Sequence, residues 1–193
     1  ISTSIIICRI KKVDIRKIGS GNPGATNTVR ALGKKYGLLV FFLDFLKGAI
    51  PTIIATYLSD GLNILPICCA FASVLGHVFP IYFSFNGGKG VATFIGAIFI
   101  IFPLGALISL TMFILILIFS GYASLATISG AISLLLSILI FSKSDLIFFG
   151  IAALLFILIS HYKNIIRLIK GNEDQFNKIH IFNPDSFWRK NNK

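Results

Sequence analysis

Between Val91 and Phe119 the chain runs for 29 residues without a charged side chain, broken only by Pro103. A helix needs about 20 apolar residues to cross the hydrocarbon core of a bilayer, and a soluble interior rarely takes a run of this length. Similar runs lie on both sides of it. With 55% of residues hydrophobic and 13% charged, there is more apolar side chain than one soluble core would bury. Backbone in lipid must satisfy its own hydrogen bonds, so the expectation is an all-α integral membrane protein, a single membrane-embedded domain over residues 1–193.

Charge decides how often the chain crosses. Ile1 to Ile10 has about half the length of a span and reads as the end of a first helix whose start is missing. No basic stretch precedes it and no small-residue cleavage site follows, so a signal peptide is not expected. Tyr36 to Leu58, Ile64 to about Phe83, Gly121 to Phe141 and Asp145 to about Ser160 read as further spans, with a turn at Ser59, Asp60 and Gly61. If Val91 to Phe119 crossed once, the tail with Lys163, Arg167, Lys170, Lys178, Arg189, Lys190 and Lys193 would lie opposite the basic first loop. Two crossings, turning near Phe102 to Gly105, put both basic segments on one face, as the positive-inside rule prefers. The expectation is seven transmembrane helices, the first truncated and the fourth and fifth short. Of 18 Lys and Arg, all then lie in cytoplasmic segments except Lys143, outside, and Lys47, within a helix. The formal charge of +11 is thus a membrane signature, not one of nucleic-acid binding.

Ionisable residues inside a span face a bundle interior or a polar cavity. Asp44 and Lys47 are three apart, share a helix face and are expected to pair, and Pro51 should kink their helix. Cys8, Cys68 and Cys69 sit in apolar stretches without metal or disulfide spacing and read as core residues.

Three polar stretches carry chemistry. The first is Gly19, Ser20, Gly21, Asn22, Pro23 and Gly24, followed by a helix from Ala25 to Leu32 with Thr26 or Asn27 near its cap. Backbone N–H groups, a hydroxyl, amides and the Arg30 fork make a phosphate cradle; the plainer alternative is a flexible basic loop. The second is Asn86, Gly87, Gly88, Lys89 and Gly90, which puts a cation among residues that let backbone N–H groups approach an anion. His77 stands just ahead of it. In the third, His161, Asn164 and Arg167 recur every three residues along a helix leaving the membrane, ended by Gly171 and Glu173. The crossing parity places all three stretches on one side.

Several other chemistries are excluded. Gly90 follows Lys89 where a Walker loop needs Ser or Thr. His180 to Asp185 matches a His-x-x-x-x-Asp pattern, but only eight residues follow it. No Ser, His and Asp arrangement suggests a hydrolase triad.

With Asp14, Ile15 and Arg16 leading into GSGNPGATNTVR, then GHVFPIYFSFNGGKGVAT from Gly76 to Thr93, then His161, Asn164, Ile165, Arg167, Leu168, Gly171 and Glu173, the chain resembles the acyl-phosphate:glycerol-3-phosphate acyltransferases. This is the bacterial PlsY-type membrane family, and LDFLKGAIP from Leu43 to Pro51 fits it too. The resemblance implies a multi-pass enzyme of the bacterial cytoplasmic membrane, with motif loops and C-terminus cytoplasmic. It would move a fatty acyl group from acyl phosphate to position 1 of glycerol 3-phosphate, giving lysophosphatidic acid and inorganic phosphate for phospholipid synthesis. No metal or other cofactor is implied. The partners would be glycerol 3-phosphate, fatty acyl phosphate and membrane lipid, with no nucleic acid. Carried over by position, the catalytic candidates are Ser20, Arg30, Lys89, His161 and Asn164. Gly19, Gly21, Asn22, Asn27, Gly87, Gly88, Gly90, Ser124 and Arg167 would bind substrate. The rival reading is a small transporter or channel for phosphorylated organic anions, although no inverted repeat is evident.

Overall fold

The computed structural model describes residues 1–59, 64–141 and 144–176. Asp60, Gly61, Lys143, Lys178, Arg189, Lys190, Lys193 and the His180 to Asp185 match lie outside the described residues. Those described form helices with no strand among them: α1 (Thr3–Ile10), α2 (Ala25–Leu32), α3 (Lys34–Leu58), α4 (Ile64–Val78), α5 (Val91–Ile101), α6 (Pro103–Ser120), α7 (Ala123–Ile140), α8 (Ile147–Ser160) and α9 (Tyr162–Ile169). Four segments are long and apolar enough to cross a membrane, Lys34–Leu58, Ile64–Phe83, Pro103–Ser120 and Ala123–Ile140, and α8 with α9 makes a fifth if the bent pair is one span.

The helix limits follow local chemistry. The uncharged run breaks at Phe102, where Pro103 fills the first position of α6, a site whose N–H no helix bond needs. The expected turn therefore falls there, and α5 is left with 11 residues. Helix α2 has the expected limits, with Gly24 as its cap, without a side-chain bond, and Thr26 and Asn27 in its first turn. One boundary differs from expectation, that of α4. The α4 helix stops at Val78, ahead of Pro80, and Ile81–Phe83 forms a separate 3-10 turn. The α3 helix is continuous through Pro51.

Packing relies on small residues where backbones meet. A Cβ on Gly48 would come within 1.8 Å of the Thr93 carbonyl oxygen, and one on Gly96 within 2.0 Å of that of Phe45. Only glycine lets α3 and α5 cross this closely, as is common between helices in lipid. Around the crossing lies a core of Ala70, Val74, Phe94, Ala97, Ile98 and Phe149, with the Phe94 and Phe149 rings stacked at 5.5 Å. Exposed side chains such as Phe42, Ile54, Leu107 and Phe148 turn outward, where a bilayer would cover them.

Asp44 and Lys47 pair as expected, at 2.8 Å. Asp44 also accepts a bond from Thr3, and His77 Nδ1 lies 3.6 Å from it. The buried charge thus joins α1, α3 and α4.

Candidate active site

The first loop is shaped by Asn27. Its buried amide donates to the carbonyls of Ile15 (3.1 Å) and Ile18 (2.8 Å) and accepts the Ser20 N–H (3.3 Å). The residue expected to contact substrate therefore spends both amide hydrogens folding the loop. Gly19 is needed here, because with φ at +51° a Cβ would fall 2.5 Å from the Asn27 Oδ1. Ser20 Oγ accepts the Asn22 N–H at 3.4 Å, which leaves its hydroxyl hydrogen to give.

The second loop is docked on the end of α4. Gly87 donates its N–H to the Val78 carbonyl at 3.0 Å. A Cβ on Gly88 would lie 2.3 Å from His77 Nε2 and 2.9 Å from the Pro23 carbonyl oxygen, so the two glycine loops touch. Arg16 donates to the Asn86 carbonyl at 3.2 Å and ties them further. Gly90, left-handed at φ 78°, caps α5 and sets Lys89 at that helix's start.

The third stretch is bent. The chain turns by 63° between α8 and α9, at His161, so His161 ends one helix while Asn164 and Arg167 lie on the next. His161 Nδ1 lies 2.9 Å from the Ile157 carbonyl, an acceptor, so this nitrogen carries the hydrogen and Nε2 keeps its lone pair. Lys89 donates to Asn164 Oδ1, Asn164 Nδ2 donates to Glu173 (2.6 Å), and Arg167 Nε donates to the other Glu173 oxygen (2.7 Å). Burial lowers the Lys89 ammonium to about 8; the Glu173 carboxylate opposes this, while Arg167 and Arg30 add to it. For Glu173 burial acts upward, but hydrogen bonds from Asn164 and Arg167, with Ser124 close by, outweigh it and hold the carboxyl below its ordinary range. Ser124 Oγ is buried and closes no bond of good geometry among the described residues.

A cavity of about 1310 Å³ joins these groups. Ser20, Asn22, Asn27, Lys89, Gly90, Ser124 and His161 line it, while Gly19, Gly21, Arg30, Gly87, Gly88, Asn164 and Arg167 are not among its lining residues. Phe41, Ile95, Leu110, Phe113 and Leu117 make a long apolar side. A phosphorylated headgroup fits the first surface and an alkyl chain the second. Arg30 reaches Asp174 by an ion pair of 3.9 Å and a bond of 3.4 Å to its carbonyl. Its guanidinium lies 4.7 Å from the centre of the Phe176 ring, which lines the cavity. Sequence reasoning missed Glu173, Asp174 and Phe176 as site residues. A carboxylate beside a cationic motif, in a chain with seven acidic residues, was the available signal. Among the described residues no group of three His, Cys, Asp or Glu could hold a metal ion.

The profile of the family described as glycerol-3-phosphate acyltransferase matches residues 1–171. A glycerol-3-phosphate acyltransferase of Aquifex aeolicus is 46% identical over 173 residues, covering 89% of this chain and 90% of the relative. Glycerol-3-phosphate acyltransferase 2 of Bacillus anthracis is 39% identical over 176 residues, covering 91% and 92%. Among solved structures, the glycerol 3-phosphate form of PlsY (YgiH), an integral membrane glycerol 3-phosphate acyltransferase, superposes with a TM-score of 0.86 at 43% identity, covering 91% of this chain and 88% of that one. Its lysophosphatidic acid form gives a TM-score of 0.83 at 43% identity, covering 92% and 89%.

Proposed function

This chain belongs to the glycerol-3-phosphate acyltransferase family, and we propose that its cavity is where a fatty acyl group passes from acyl phosphate to position 1 of glycerol 3-phosphate. The protein is an acyltransferase of phospholipid synthesis, with lysophosphatidic acid and inorganic phosphate as products. One observation carries the reading: Ser20, Lys89 and His161, from three separate stretches, line a single cavity with a polar end and an apolar side.

Lys89 is the electrophilic cation. Held by Asn164 at the start of α5, it is aimed by contacts that exist before substrate arrives, so its charge costs little reorganisation in the transition state. The glycerol 3-phosphate hydroxyl attacks the acyl-phosphate carbonyl, Lys89 and loop N–H groups stabilise the oxyanion, and the carbon–oxygen bond to phosphate then breaks. Ser20 and Arg30 bind substrate phosphate, Arg30 exchanging its Asp174 contacts for the anion. His161 Nε2 accepts a hydrogen bond from the second glycerol hydroxyl and so orients the attacking one, whose proton passes to a phosphoryl oxygen of the acyl phosphate; phosphate then leaves as hydrogen phosphate, with no other base needed. Arg167 and Glu173 brace Asn164 and so act through Lys89.

The same reading gives seven crossings, made by α1, α3, α4, α5, α6, α7 and α8. It is supported by α5 and α7 beginning, and α6 and α8 ending, beside the cavity. The basic loops then lie on the cytoplasmic face of a bacterial inner membrane. Incubating purified protein with labelled glycerol 3-phosphate and palmitoyl phosphate is the test. Labelled lysophosphatidic acid with stoichiometric phosphate release is expected; no acyl transfer would refute the reading.

A further inference from the structure

A second, smaller cavity, of about 420 Å³, lies where α1 runs into the first loop. Arg9, Lys12 and Arg16 line it with Asp14, over a floor that includes Ile5 and Val13. The charge is lopsided: Arg9 and Lys12 have no acidic partner among the described residues, and Asp14 pairs with Lys17 instead, at 3.8 Å. Arg9 stacks 5.4 Å from the centre of the Phe83 ring, and Arg16 is fixed by the Asn86 carbonyl, so two of the cations are held in place before any anion arrives.

Lys12 gives an independent sign. It ends α1 in a left-handed cap: its N–H meets the Arg9 carbonyl at 2.9 Å, and the next N–H, of Val13, meets the Cys8 carbonyl at 2.9 Å. The position that makes this turn has φ of +57° and is ordinarily glycine, since a Cβ is strained there. A lysine at a glycine position adds backbone strain and a third cation to the cavity that Arg9 and Arg16 line. The turn needs neither, and glycine would make it without the strain. Beside the cavity, Ile6 and Ile10 of α1 are exposed and would lie against acyl chains.

We propose that this cavity binds the phosphate of an anionic phospholipid headgroup, with Arg9, Lys12 and Arg16 as its cations and the lipid's chains along α1. Neither the acyl-transfer reading nor the cavity that serves it is needed for this site. A free phosphate ion has the same charge chemistry, but the adjoining apolar helix face favours the lipid.

The test uses the full chain reconstituted in phosphatidylcholine with trace spin-labelled phosphatidylglycerol, reading its preference for the protein over spin-labelled phosphatidylcholine. Lys12→Gly suits the purpose because glycine relaxes the turn, so the melting temperature should hold or rise. It should lose about fivefold in preference, as should Arg9→Gln. Lys11→Gln makes the same change of charge one residue away, where the ammonium sits 5.1 Å from the centre of the Tyr36 ring instead of in the cavity; its preference should not change. Equal losses in Lys12→Gly and Lys11→Gln would mean a diffuse surface charge and overturn the site. No loss in Lys12→Gly would overturn it too, and displacement of the labelled lipid by millimolar inorganic phosphate would overturn the lipid as occupant.

Discussion

Two constellations of ionisable side chains lie inside this protein, and they are built to opposite ends. Around Asp44 the charges close on themselves: the carboxylate takes Lys47 at 2.8 Å and the Thr3 hydroxyl, His77 approaches it, and Lys47 spends a further bond of 2.6 Å on the Ile1 carbonyl. Around Lys89 they do not close. Glu173 is already engaged by Arg167 and Asn164, so Lys89 rests on a neutral amide and keeps its charge at the cavity wall. A charge neutralised by its neighbours holds helices together, whereas one held by a neutral group is available to a ligand.

The contrast can be broken most forcefully at Lys89. Lys89→Ala should cut acyl transfer by about 10³-fold, near 4 kcal/mol of transition-state stabilisation, while the protein still inserts and purifies normally. Near-normal turnover would erase the distinction between the two clusters. Asp44→Ala should do the converse. Its loss strands Lys47, and the cost is about 3 kcal/mol of stability, at the low end for a buried pair because Lys47 is part-exposed and keeps the Ile1 carbonyl. Thermal unfolding in detergent should show it, and because Asp44 and His77 also line the cavity, kcat per folded molecule should fall too, by less than in Lys89→Ala.

Arg30→Lys should lower kcat/KM by about tenfold or somewhat more, since one ammonium replaces a forked donor but not its two-point grip. An unchanged value would make Arg30 a structural partner of Asp174 alone. The mildest test is pH. Lys89 works as a cation, and burial puts its proton loss at about 8 in the free protein. Charge is therefore full well below that pH and is lost as pH rises through it, so kcat/KM should fall about tenfold by one unit above. Lys89→Arg, if active, should carry that limb to higher pH.

How much of this was legible in the chain differs between the two regions. The Asp44 pair was readable because its partners are three residues apart on one helix, where spacing implies contact. At the second cluster the cations were readable and their arrangement was not. His161, Asn164 and Arg167 looked like one helical face until the bend at His161 separated them. Asn27, expected to bind substrate, gives its amide hydrogens to the carbonyls of Ile15 and Ile18 and also lines the cavity, a double placement that spacing alone does not record. Side-chain amides serve backbone and ligand equally well, and residue type does not distinguish the two uses.

Taken alone, the sequence determined the membrane character, the break at Pro103 and the three polar stretches, because hydropathy and glycine content add up locally along a chain. Only the tertiary structure decided which charges cancel. Lys89 and Asn164 are 75 residues apart, and whether an ammonium meets a carboxylate or an amide depends on which helix ends converge, a matter of packing that no local pattern records.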